Sequence, residues 1–228
     1  MDTMFDNHMA ARSADEINTA MGRVYSYMAL AVLVSMLTSY GVSTSTELMA
    51  LLFGTPLKWV VMFAPLVFVF LVPVLFNAGI GLMGGILTLT AFAALMGLSF
   101  ATIFVMYSMG SIFTAFMGAG VLFGVMSFYG YFTKRSLESL GQFMFIGLIA
   151  IIIASIVNIF IGSTVMQMVI SALAIIIFLG LTAYDTQQIR EELSIETSDS
   201  AEVRGALTLY MDFINLFLNL LNLFGDRK

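Results

Sequence analysis

The sequence predicts an all-α fold, a polytopic membrane bundle of seven transmembrane helices, on three observations. Of its 228 residues 60% are hydrophobic and only 10% charged, with a mean hydropathy of +1.01. A soluble domain carries roughly 25% charged residues, so lipid must cover part of this surface. The chain also breaks into apolar runs close to the length of about 20 residues that crosses a hydrocarbon core. Finally, glycine (19) and methionine (18) are plentiful and proline (3) is scarce. That mix suits close helix packing better than a barrel, whose strands would alternate polar and apolar positions.

Residues 1–20 are polar (Asp2, Asp6, His8, Arg12, Asp15, Glu16) and lack the apolar core of a cleavable signal. They read as a cytoplasmic tail, with 21–228 as the transmembrane domain, and the first span, 22–41, itself directs insertion. A Ser/Thr-rich interruption over 42–56, closed by Gly54, Thr55 and Pro56, leads to the second span at 57–76. The third, 80–106, starts among Gly79, Gly81, Gly84 and Gly85, and the fourth to sixth follow at 112–132, 142–162 and 166–184. Short connections between them imply antiparallel neighbours. After a polar stretch at 185–206, the seventh segment, 207–224, carries Asp212, Asn215, Asn219 and Asn222. So polar a helix belongs at the centre of a bundle or in a re-entrant position, which leaves six spans plus a re-entrant helix as the alternative.

Orientation follows from the basic residues. With the N-terminus inside, the inner segments hold six (Arg12, Arg23, Lys134, Arg135, Arg190, Arg204) and the outer segments three (Lys58, Arg227, Lys228). A cytoplasmic N-terminus and an external C-terminus fit best. Tyr25, Tyr27, Trp59, Tyr107, Tyr129, Tyr131, Tyr184 and Tyr210 stand near span ends, where aromatic rings anchor at the interface. Gly81 with Gly85 and Gly120 with Gly124 form GxxxG pairs, suited to close helix crossings within one chain or between two copies.

Little in the chain supports enzyme chemistry. There is no cysteine, so thiolate catalysis, disulfides and zinc–thiolate sites are excluded. The single histidine, His8, lies in the tail, and no metalloprotease or phosphate-loop motif occurs. A net charge of −5 without a basic run excludes nucleic acid as a partner. What remains is a pair of membrane carboxyls. Asp185 ends the sixth span in Gly180-Leu-Thr-Ala-Tyr-Asp-Thr-Gln-Gln188, and Asp212 falls about one and a half turns inside the seventh. An antiparallel turn between those spans puts both at similar depth on the cytoplasmic side, bracketing 186–206. A carboxylate below the headgroups is costly to keep charged, and two in contact titrate as a unit. A shared proton would hold the helices together and its loss would part them. The plainer alternative makes Asp185 a solvated helix end and Asp212 a packing residue. Asn215, Asn219 and Asn222 share the Asp212 face at i+3, i+7 and i+10, as a polar path or as interhelical amide bonds.

The strings Gly180-Leu-Thr-Ala-Tyr-Asp-Thr-Gln and Gly205-Ala-Leu-Thr-Leu-Tyr-Met-Asp-Phe-Ile-Asn-Leu-Phe resemble the C-terminal signature of the Bax inhibitor-1 (transmembrane Bax inhibitor motif) family. Ser127-Phe-Tyr-Gly-Tyr-Phe-Thr-Lys-Arg135 is similar to that family's segment after the fourth span, and the short N-terminal tail resembles its bacterial branch. The resemblance implies a bacterial inner-membrane protein of seven helices with the last one central. It further implies a pH-sensitive calcium leak, with Asp185 and Asp212 as the sensor and as candidate calcium contacts. Some members pair these carboxyls with an arginine in the second span; here that span has Lys58 and no arginine.

Three functions follow as expectations. The first is a non-enzymatic calcium (cation) leak channel without a resident cofactor, calcium being its cargo and the lipid bilayer its surroundings. The second is a non-transporting regulator that binds another membrane protein, for example a membrane protease. An intramembrane aspartyl hydrolase is the third, although its extended active-site motifs are missing.

Overall fold

The fold follows from what an apolar chain must do with its backbone. In a bilayer every N–H and C=O needs an internal partner, and the helix supplies it. The computed structural model describes residues 12–196 and 198–228; Asp2, Asp6 and His8 of the predicted tail lie outside them. Among the described residues there are eight helices: α1 (Ala14–Ser43), α2 (Thr46–Phe53), α3 (Leu57–Asn77), α4 (Leu82–Met106), α5 (Met109–Phe132), α6 (Glu138–Ile161), α7 (Thr164–Ile195) and α8 (Asp199–Phe224). All but α2 are long and apolar enough to span a membrane, so the chain is a polytopic helical membrane bundle with seven spans.

Several boundaries differ from the predicted ones. α1 begins at Ala14, within the polar segment, because Ser13 caps it through a capping box with Glu16. The 42–56 interruption folds into the short helix α2, capped by Ser45. Most important, 185–206 is not a loop. α7 runs on to Ile195 and α8 starts at Asp199, leaving a connection of only a few residues. The 32 residues of α7 span about 48 Å, more than the hydrocarbon core of ~30 Å, so its last turns project beyond it. These turns are polar because they leave the lipid, not because the helix ends.

α8 is the central helix. It packs against α1, α4, α5 and α7, and 56% of its spanning window is buried, against at most 39% for any other span. Its full length also removes the re-entrant alternative. α3, which contains Pro65 and Pro73, packs mainly on α4, with a smaller contact to α2. The α3–α4 turn uses Gly79 at φ 75°, and α6 ends at Gly162 at φ 69°, left-handed conformations that favour glycine.

The GxxxG pairs do not form the expected crossings. Gly85 packs against Phe76 and Val203, but a side chain at Gly81, Gly120 or Gly124 would meet open space. The closest approaches use other glycines. Gly97 of α4 sits against Ser35 of α1, Gly130 of α5 against Ala183 of α7, and Gly205 of α8 against Ile189 of α7. Tyr210, expected at the interface, is instead fully buried, where its hydroxyl lies 2.6 Å from that of Ser35.

A candidate carboxyl pair between the last two spans

Asp185 and Asp212 meet because α7 and α8 form an antiparallel hairpin. Asp185 lies ten residues before Ile195 and Asp212 thirteen after Asp199, which puts them about 15 and 20 Å from the turn. Asp212 is therefore deep in its helix, not one and a half turns from its start. The two carboxyls lie close enough to act on each other electrostatically. Asp212 is buried, and its Oδ2 has no hydrogen-bond partner. Since a carboxyl oxygen is only an acceptor when ionised, a contact between them is attractive only with a proton between the two groups.

The surroundings hold α7 in register. Gly130 and Gly141 let α5 and α6 press against Ala183 and the ring of Tyr184, the two residues before Asp185. On the residue after it, the Thr186 hydroxyl donates to Thr182 O at 2.7 Å. It also lies 3.0 Å from Ser127 Oγ of α5, which is 2.6 Å from the Tyr25 hydroxyl of α1. This chain of hydroxyls ties α1, α5 and α7 together beside the pair. Near the projecting end of α7, Gln187 accepts from Leu137 N at 2.8 Å and donates to Arg135 O at 3.0 Å, which fixes the α5–α6 connection to α7.

The asparagine stripe does not join helices as amide glue would. Asn215 and Asn219 donate through Nδ2 to Met211 O and Asn215 O of their own helix, each at 2.8 Å. Their side-chain oxygens find no protein partner among the described residues. Both are half-buried, on the Asp212 side of α8. Asn222 is tied into the chain terminus, its Oδ1 accepting from Arg227 at 3.0 Å and from the Tyr107 hydroxyl at 3.4 Å. No three His, Cys, Asp or Glu side chains converge on a metal position among the described residues.

One charged group escaped the sequence reading. Glu202 of α8 is fully buried and receives Arg23 of α1 through two 2.6 Å bonds, with Arg12 at 3.5 Å. With α8 starting at Asp199, Glu202, Ala206, Leu209 and Phe213 line one buried face at i, i+4, i+7 and i+11. That periodicity was the available signal, hidden by treating 185–206 as a loop. Nearby, Arg204 pairs with Glu192 and, at 2.7 Å, with Glu196 across the turn. Arg12, Arg23 and Arg204 thus bind carboxylates at the α7–α8 end, while α3 contains no arginine to place beside the aspartates.

The chain is similar to known proteins over nearly all of its length. Residues 17–228 match the family described as inhibitor of apoptosis-promoting Bax1. The inner membrane protein YbhL of Escherichia coli K12 is 36% identical over 221 residues, 93% of each chain. A Rickettsia prowazekii protein is 37% identical over 215 residues, covering 91% of this chain and 89% of the relative. A membrane protein of Streptococcus pyogenes is 42% identical over 137 residues, 59% and 60% of the two chains.

Proposed function

Because the chain belongs to the family of inhibitors of apoptosis-promoting Bax1, we propose that it is a pH-sensitive calcium (cation) leak channel of a bacterial inner membrane. The observation that carries this reading is the closeness of Asp185 to a buried Asp212 on the central helix. A proton between them holds α7 to α8. When it leaves, two like charges in a poorly solvated site repel, and α8 and its neighbours shift. The same carboxyls then offer the oxygen ligands that calcium prefers, and the free oxygens of Asn215 and Asn219 continue the line along α8. On this reading the cation is cargo that passes the site.

The localisation follows the E. coli relative, whose name places it in the inner membrane. The six basic residues assigned to the inside include Arg12, Arg23, Arg135, Arg190 and Arg204, all grouped around the α7–α8 end. Under the positive-inside rule that end is cytoplasmic. The C-terminus bonds the α4–α5 turn through Lys228 N to Met106 O at 2.9 Å, at the opposite end.

The test is calcium flux into liposomes containing the purified protein, stepped through pH. Wild type should conduct with a pH-dependent rate, and Asp212→Asn should flatten that dependence. A mutant with the wild-type pH response removes Asp212 from the sensor. Inert liposomes, together with a stoichiometric partner recovered from native membranes, would replace the channel by a regulator of other membrane proteins.

A further inference from the structure

α1 and α5 both pack on α8 but scarcely on each other, so a slot opens between them toward the lipid. Near the ends of α1 and α4 it widens into a cavity of about 330 Å³, floored by Ile214 and Phe217 of α8, within the usual range for small-ligand pockets of ~300–1,000 Å³. Leu37 and Phe113, on its lips, are 59% and 67% exposed. The lining is apolar apart from Ser35, Ser39 and Tyr40. Ser35 is satisfied by Ala93 O and Tyr210. Ser39 is not: it is 2% exposed and its Oγ has no partner. Its usual acceptor would be Ser35 O one turn back, where α4 crosses closest at Gly97.

We propose that this cavity binds one acyl chain of a membrane phospholipid, with an ester carbonyl accepting the Ser39 hydroxyl. Three features select that occupant. The entrance faces the bilayer, so the molecules that reach it are lipids. The walls suit a hydrocarbon, and they place a single unmet donor at one end. That donor lies four residues before the end of α1, about 6 Å along the helix, beside the exposed ring of Tyr40. There the hydrocarbon gives way to the ester layer. The bound chain would rest on Phe217 and Phe116; Phe116 packs edge-on against both Phe217 and Phe213, the residue after Asp212. The site stands independently of the channel reading.

The experiment uses the full chain with its one tryptophan, Trp59, changed to Phe and a new reporter, Phe217→Trp, in the cavity floor. Phe217 is only 8% exposed. In vesicles of phosphatidylcholine brominated on its acyl chains, the reporter should be quenched nearly as strongly as Phe160→Trp, at a position 86% exposed. It should be quenched far more than Phe92→Trp, at a fully buried position. Adding Ser39→Leu to fill the cavity should return the Phe217→Trp signal to the buried level. Quenching no stronger than at Phe92→Trp overturns the proposal, as does quenching that Ser39→Leu leaves unchanged. So does quenching by a brominated free fatty acid in place of the phospholipid. Phospholipid retained through detergent purification, and lost in Ser39→Leu, reads the same site without a reporter.

Discussion

Gly130→Ala should separate α5 from α7 beside the carboxyl pair. A Cβ at residue 130 would lie 2.9 Å from both C and Cα of Ala183, and closer still to its carbonyl oxygen, where ordinary contacts begin at 3.4 Å. All three obstacles are backbone, so no rotamer change relieves them. α5 must retreat by at least about half an ångström, a shift that well-packed interiors do not absorb freely. The Ser127–Thr186 bond, now 3.0 Å, lies one turn away on the same two helices and would stretch toward the limit of a useful hydrogen bond. Overpacking of this kind costs about 1–3 kcal/mol, and a weakened hydrogen bond adds about 1 kcal/mol. Against this, alanine gains up to about 1 kcal/mol of helix propensity over glycine. The net loss is about 2 kcal/mol, or a fall of roughly 4–8 °C in Tm for a chain of this size. Thermal unfolding in detergent measures it, with Gly120→Ala and Gly124→Ala as controls on the same helix. Both controls place a methyl in open space and should leave Tm unchanged or slightly raised. A Gly130→Ala protein as stable as these controls would refute the close α5–α7 crossing and the register it imposes on Asp185.

Glu202→Gln should lower stability by about 2–3 kcal/mol, at or just below the ~3–5 kcal/mol cost of breaking a fully buried ion pair, because the Arg23 side chain is 46% exposed and can rehydrate; denaturation of Glu202→Gln beside Arg23→Gln checks it. Tyr210→Phe removes the hydroxyl that meets Ser35 and should cost about 1 kcal/mol, read in the same assay. Glu196 is held below its usual carboxylate value by the Ser198 hydroxyl and Arg204. A depressed acid stabilises the fold above its unfolded pKa of 4.5 and loses that contribution as pH falls through the lower folded value. Being partly exposed, it contributes at most about 1 kcal/mol, so Glu196→Gln should cost up to that amount at pH 7 and nothing at pH values below the folded pKa, which flattens the acid side of the stability–pH curve.

How far the fold was legible depended on which physical signal each element carries. Hydropathy reports lipid contact, so it found seven spans and their order. It stops where a helix leaves the lipid, and so it truncated α7 at residue 184 and delayed α8 to 207, although both continue through the polar turns. Small-residue spacing was a weaker guide. Gly120 and Gly124 have the right interval, yet they face outward. Gly130 and Gly205, which make the crossings, belong to no such pair. A spacing rule describes one helix face, while the crossing depends on which face the neighbour meets.

The candidate site shows the same division. That Asp185 and Asp212 could meet was readable from an antiparallel pair of helices with polar residues at similar depth, with a solvated Asp185 and a packing Asp212 as the open alternative. Their level was not, because it depends on where α7 and α8 turn. Once the turn moves to the end of α7, both aspartates sink into the bundle, and the charges of 185–206 become the projecting ends of two helices instead of a loop. The arginines then act at that end, where Arg23 and Arg12 close on Glu202 and Arg204 clips the turn. On the proposed channel reading, the Asp212 carboxyl and the ion-paired Glu202, ten residues apart on α8, would together constrain how that helix moves. With its first turns tied to α1 by Glu202, separation of Asp212 from Asp185 would come from tilting or rotation about that anchor, not from sliding the helix along its axis.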